Sequence, residues 1–126
     1  MSQNINGIGQ EANNPKELGI KSFAQDLKID IFALQQLNVC WSKVSYKNKI
    51  WERFRRWEEN HNLSVAYNAM DKNSFSHQPG GVALLSRGQI SHMWVASGHD
   101  EAKLGRWTWS RYQGSYGRHL RVVSVC

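Results

Sequence analysis

Cysteine and proline are nearly absent from this 126-residue chain, which has two of each: Cys40 and Cys126, Pro15 and Pro79. The two thiols stand far apart, without His or Cys companions at metal-ligand spacing, so neither a disulfide framework nor a zinc site is suggested. Both read as small apolar residues in a reducing compartment. No Pro-rich linker, internal repeat or low-complexity tract divides the chain, and one domain over residues 1–126 is the expectation. Long hydrophobic runs are missing as well, since nothing approaches the roughly 20 apolar residues that span a bilayer. The amino end, Met1-Ser2-Gln3-Asn4-Ile5-Asn6, has neither the basic start nor the apolar stretch of a signal peptide. An intracellular protein, nuclear or cytoplasmic and without a membrane segment, is therefore expected.

Negative charge is also scarce. Ten Asp and Glu stand against 16 Lys and Arg, a formal charge of +6, which favours polyanionic partners, although a merely solvated basic surface gives the same count. The few carboxylates do not cluster as a hard-cation site would require. Asp30 opens an apolar run and Asp71 sits among loop-forming residues. Glu11, Glu17, Asp26, Glu52, Glu58 and Glu59 fall on helices or on the irregular start. Asp100 and Glu101 are the best pair to line a site, and a turn explains them more simply. No Ser lies in a G-x-S-x-G elbow, and Asn6-Gly7-Ile8-Gly9 lacks the spacing of a phosphate-binding glycine loop. Covalent catalysis and mononucleotide binding both drop out.

What is present reads as helices laid on a sheet, followed by an antiparallel meander: a mixed α/β layer structure. Asn14 can cap a helix with Pro15 at its first position and Glu17 at its third, and Ile20, Phe23, Ala24 and Leu27 form its apolar stripe. Asp30 to Gln36 has the pattern of a strand buried on both faces. A second helix is expected over about Lys47 to His61, with Ile50, Phe54, Trp57 and His61 on one side and a Glu52 to Arg56 pair on the other. Leu63 to Tyr67 then reads as a strand. After it the period changes to two, so Gly81 to Ser86, Ser91 to Ala96, Arg106 to Tyr112 and Arg118 to Cys126 read as strands, the last two joined by a hairpin at Gly114-Ser115-Tyr116-Gly117.

Several short words then occur in a telling order. They are Asn4-Ile5-Asn6-Gly7-Ile8, Asp30-Ile31-Phe32-Ala33-Leu34-Gln35-Gln36, Gln78-Pro79-Gly80-Gly81-Val82-Ala83-Leu84-Leu85-Ser86-Arg87, Gly105-Arg106-Trp107-Thr108-Trp109 and Leu120-Arg121-Val122-Val123-Ser124-Val125. Through nearly its whole length the chain resembles the amino-terminal half of an endonuclease/exonuclease/phosphatase domain, the family of apurinic-site endonucleases, DNase I and retrotransposon endonucleases. The Gly105-Arg106-Trp107 wording is similar to the retrotransposon branch. The resemblance implies part of a DNase I-like four-layer α/β sandwich, a metal-dependent phosphodiester hydrolase, with Mg²⁺ as cofactor and nucleic acid, DNA before RNA, as partner.

It also implies roles for two residues. Asn4 matches the asparagine that helps hold the scissile phosphate. The metal-binding glutamate of the family falls on Gln36, and a neutral amide offers Mg²⁺ one carbonyl oxygen and no charge. Read without the resemblance, Asn4 is a loop residue and Gln36 a polar strand terminus. The family's later Gly-Asp-x-Asn and Ser-Asp-His words lie beyond Cys126, which falls where a tyrosine usually stands. A truncated domain, inactive by itself and exposing an apolar sheet face that promotes aggregation, is the resulting expectation. Two other readings stand beside it. One is a nucleic-acid-binding module, in which Arg106, Arg111, Arg118 and Arg121 interleave with Trp107, Trp109, Tyr112 and Tyr116. The other is a mobile-element remnant without a task. Trp107 and Trp109 share one strand face, which is more often core than a stacking platform.

Overall fold

Asn14 starts the first helix as the sequence indicates. In the computed structural model, which describes residues 1–57, 60–69 and 75–126, its side-chain oxygen accepts the Glu17 N–H at 3.1 Å and Pro15 opens helix α1, Pro15–Asp26. The Glu17 carboxylate reaches back to the Asn13 N–H, one residue earlier than a standard capping box would place it. Such a cap contributes about 1 kcal/mol. Glu58, Glu59 and Asp71 lie outside the described residues.

Four strands form the first sheet: β1 (Ser2–Asn4), β2 (Ile31–Gln35), β3 (His61–Ala66) and β4 (Val82–Arg87), in the order β1-β2-β4-β3. β1 runs parallel to β2, with Asn4 opposite Gln35, and β4 pairs antiparallel with both β2 and β3. One face carries Phe32, Leu34, Leu63, Val65, Ala83 and Leu85, packed with Ile20 and Ala24 of α1 and with Ile50 and Phe54 of a short helix α2, Ile50–Arg55. Phe54 is fully buried and meets the Trp57 ring edge-on at 4.5 Å between centroids.

The second sheet is the antiparallel meander β5 (Trp94–His99), β6 (Trp107–Gln113) and β7 (His119–Val125), in chain order. It lies on the other face of the first sheet through short side chains, with the Ser64 hydroxyl bonded to that of Thr108 and Gln35 Nε2 donating to Ser124 Oγ at 3.3 Å. Ala33, Ala66, Ser86 and Ser110 are buried in the same layer. Small residues let the two sheets approach closely, and each buried hydroxyl pair removes a desolvation cost. The order of layers is thus helices, first sheet, second sheet. Among the described residues no helix is long and apolar enough to cross a membrane.

The structure corrects several sequence expectations. Phe23 and Leu27 are 48% and 57% exposed, so α1 buries only the Ile20 and Ala24 part of its stripe. α2 begins after Lys49, which is extended, and spans six residues, because His61 is taken into the sheet opposite Arg87. Glu52 pairs with Arg55 at 3.2 Å, one residue short of the expected Arg56, and also accepts the Tyr46 hydroxyl at 2.8 Å, a contact that raises the pKa of the phenol. The segment before β5 is a 3₁₀ turn, Gly88–Met93, closed by the Ser91 hydroxyl on the Gly88 carbonyl at 2.6 Å, so that strand starts at Trp94 and not at Ser91. Thr108, Ser110 and Tyr112 point inward, which turns Trp107 and Trp109 to the outer face of the second sheet, where both are half-buried. They are not part of the layer between the sheets. The first sheet is covered on both sides, by the helices and by the second sheet, and the open sheet face is that of β5–β7.

Candidate functional site

All the sequence words that carried the resemblance meet at one end of the sandwich. Asn4 ends β1, and its side-chain oxygen accepts the Asn6 N–H at 3.1 Å, turning the chain through Asn6 and Gly7, both at positive φ. Gln36 follows β2 directly, also at positive φ, and its carbonyl accepts the Gly7 N–H at 2.6 Å. The register Asn4 to Gln35 therefore leaves the two candidate residues at the carboxyl ends of neighbouring parallel strands. Such strand ends, where loops diverge, are where α/β sheets form their ligand crevices.

Two more words tie into this pair. The Asn38 side chain accepts the Gly80 N–H at 3.0 Å, Leu37 N–H donates to the Gly81 carbonyl at 3.1 Å, and Gly81 N–H donates to the Gly105 carbonyl at 3.0 Å. Cys126 N–H then reaches the Arg106 carbonyl at 2.8 Å. Gly105 explains its own place in the word. At φ +71° a Cβ there would lie 2.7 Å from the Asn68 nitrogen, a backbone atom that has no room to give.

Two cations that the sequence reading missed hold the first loop in place. The Lys16 ammonium donates to the carbonyls of Ile5, Asn6 and Gly7 at 3.0, 3.2 and 2.8 Å. Arg53, 1% exposed on α2, donates from Nη1 to the Gly9 carbonyl at 2.8 Å and lies over the Trp41 ring at 5.3 Å. Burial lowers the pKa of its guanidinium, against the raising influence of the equally buried Glu17 carboxylate. Both cations bond to main-chain oxygens, which leave no mark in a sequence. Only Lys16, one position after a helix-opening proline, carried a positional hint.

Between these loops lies a cleft of about 470 Å³, with Asn6, Gln10, Lys16, Asn38 and His77 in its walls. Among the described residues neither Asn4 nor Gln36 lines it, and no carboxylate does. Asp100 has another task. Its carboxylate accepts the Ala102 and Arg106 N–H groups at 2.9 and 3.2 Å, bracing the turn into β6, while Glu101 is exposed. The turn explanation for that pair is the one the geometry bears out.

A divalent cation does not fit the groups that the described residues place at this end. Mg²⁺ sheds water reluctantly and is held through carboxylates, whereas the strand ends offer two neutral amides, one of them already engaged, and carbonyls occupied by an ammonium. Among the described residues no group of three or more His, Cys, Asp or Glu is placed to hold a metal ion.

No family model and no curated protein sequence matches the chain. Its fold does match solved structures. An endonuclease/exonuclease/phosphatase family protein from Leptotrichia buccalis C-1013-b superposes over 99% of this chain with a TM-score of 0.61 and 14% identity. An endonuclease/exonuclease/phosphatase from Bacteroides vulgatus superposes over 97% with a TM-score of 0.54 and 13% identity. This chain spans 53% and 49% of those two proteins, about half the length of each. The fold is accordingly that of the amino-terminal half of the DNase I-like sandwich, as the order of the sequence words indicated.

Proposed function

We propose that this chain supplies the phosphate-holding part of an endonuclease-type, phosphodiester-hydrolysing site, and that by itself it binds a nucleic-acid backbone, DNA in the first place, without cutting it. Asn4 is the phosphate contact in this reading. Gln36 occupies the place of the metal-binding acid and leaves Mg²⁺ without an anionic ligand. The observation that carries the proposal is the juxtaposition of Asn4 and Gln36 at adjacent parallel strand ends, beside a cleft that Lys16 lines and that no carboxylate among the described residues enters.

Fluorescence anisotropy with a labelled abasic-site duplex tests it. Binding should be measurable at low salt and should weaken about tenfold between about 50 and 200 mM, as expected when roughly two phosphates are neutralised. Asn4→Ala should weaken it, Mg²⁺ should act only as an added salt does, and EDTA in the absence of Mg²⁺ should leave it unchanged. No binding at low salt, or binding indifferent to Asn4, contradicts the proposal.

A second reading keeps nucleic acid as the partner but moves the surface to β5–β7. It is favoured by the Arg121 guanidinium lying 4.5 Å over the Trp109 ring. In the same assay Arg121→Ala, and not Asn4→Ala, would then carry the loss.

A further inference from the structure

We infer that the surface where α2 meets the 3₁₀ turn Tyr46–Asn48 holds a single-stranded stretch of nucleic acid running on from the Asn4 end, with phosphates on Lys47, Arg55 and Arg56 and an unpaired base on the Tyr46 ring. From Trp41 to Trp57 the chain carries six cations, Lys43, Lys47, Lys49, Arg53, Arg55 and Arg56, against one acid, Glu52. Glu58 and Glu59, which follow, lie outside the described residues. Such a concentration of one sign is the footprint of a phosphate backbone.

Local contacts gather these charges on one surface. Glu52 is buried, and its carboxylate is taken up by the Arg55 guanidinium at 3.2 Å and the Tyr46 hydroxyl at 2.8 Å. Arg56 reaches back from Nη2 to the Lys47 carbonyl at 2.9 Å. Arg55 and Arg56 are thereby drawn against the 3₁₀ turn, beside Tyr46 and Lys47. Lys49 and Arg53 are engaged inside, on the Trp41 and Gly9 carbonyls, whereas Lys47, Arg55 and Arg56 are exposed. A guanidinium has five N–H donors, more than either of these contacts consumes. The Tyr46 ring is 67% exposed while its hydroxyl stays fixed on Glu52. A ring held in place and open to solvent is a platform for an unpaired base, and the paired bases inside a duplex offer it no free face.

The turn also adjoins the loop of the candidate site. Asn48 Oδ1 accepts the Ala12 N–H at 3.1 Å, and Gly9 and Gln10 of the same loop line the cleft. From Gly9 to Ala12 the chain covers at most about 11 Å, a gap that a few nucleotides of one strand bridge. Anionic lipid, the other phosphate-rich partner, suits the surface less. Elements of three and six residues present no apolar face long enough to enter a bilayer interface, and the exposed Trp51 ring is covered by the Lys49 ammonium at 5.2 Å. The inference rests on the proposed function for its class of partner, and it uses neither Asn4 nor Gln36.

Fluorescence anisotropy with three labelled probes is the test: the abasic-site duplex, the same duplex with a single-stranded tail of about ten nucleotides, and that single strand alone. At low salt the tail should tighten binding about tenfold, as one stacked base contributes. Tyr46→Ala, and separately Lys47→Ala combined with Arg56→Ala, should remove most of that gain and leave the plain duplex unchanged, each variant being verified as folded by circular dichroism. Tyr46→Phe, which keeps the ring, and Lys21→Ala, on α1, should preserve it. The single strand alone should bind with the same dependence on Tyr46 and none on Asn4. Plain-duplex binding that ignores Asn4→Ala therefore sinks the proposed function and leaves this inference standing. A tail that adds nothing, a gain that survives both Tyr46→Ala and the Lys47 and Arg56 pair, or an equal loss in Lys21→Ala overturns the inference. So does a loss, in those variants, of binding to phosphatidylserine vesicles but not to the strand, which would assign the surface to a membrane.

Discussion

Phe54→Ala should lower the unfolding free energy by about 3–5 kcal/mol, the usual cost of emptying an aromatic site in a packed core. Phe54 is fully buried in the layer between α2 and the first sheet and supports the Trp57 ring edge-on. Domains have only about 5–15 kcal/mol in total, so the variant should sit near the edge of unfolding. Phe23→Ala is the internal control. With its side chain 48% exposed, it should cost less than about 1 kcal/mol. Urea unfolding followed by tryptophan fluorescence reads both. Equal losses would mean that α1 packs as its sequence stripe suggested and not as the structure has it.

The second large effect is expected at Arg53. Truncating it to alanine removes the hydrogen bond to the Gly9 carbonyl, the contact with Trp41 and the opposite charge acting on Glu17, itself 1% exposed. Losing a buried hydrogen bond from a charged donor costs about 1.5–3 kcal/mol. The same change loosens the loop that carries Asn6, so DNA binding should weaken alongside stability. Arg53→Met, which keeps most of the volume, should recover part of the stability and none of the anchoring of Gly9. A stability loss below about 1 kcal/mol for Arg53→Ala would show that the guanidinium is not the tie between α2 and the first loop.

These two residues mark where the sequence was legible and where it was not. Buried apolar runs such as Phe32 to Leu34 and Val82 to Leu85 read as strands because they are too short for a buried helix and are bounded by polar or glycine residues. Asn14-Pro15 likewise announces a helix start. The misread elements are those in which distant partners decide. Ser91 to Ala96 alternates like a strand, but its first half is bent into a 3₁₀ turn by local hydroxyl bonding. The periodicity of α2 continues past Arg55, but pairing with β4 claims His61. Trp107 and Trp109 share a face as the period requires, and only the second layer determines which face is inner. At the candidate site, the strand-end positions of Asn4 and Gln36 were readable because their words stand in a familiar order. Lys16 and Arg53 were not, since each acts on carbonyl oxygens that any residue could supply.

The central proposal is that the paired strand ends, with an amide at Gln36 and an ammonium on the carbonyls that follow Asn4, hold a phosphate but offer no place for the magnesium that would help cleave it. Incubating the purified chain with supercoiled plasmid and with abasic-site DNA, with Mg²⁺ and with EDTA, addresses it most directly. We expect the same trace of nicked product in both. Nicking that requires Mg²⁺, disappears with EDTA and is abolished by Asn4→Ala would contradict the account.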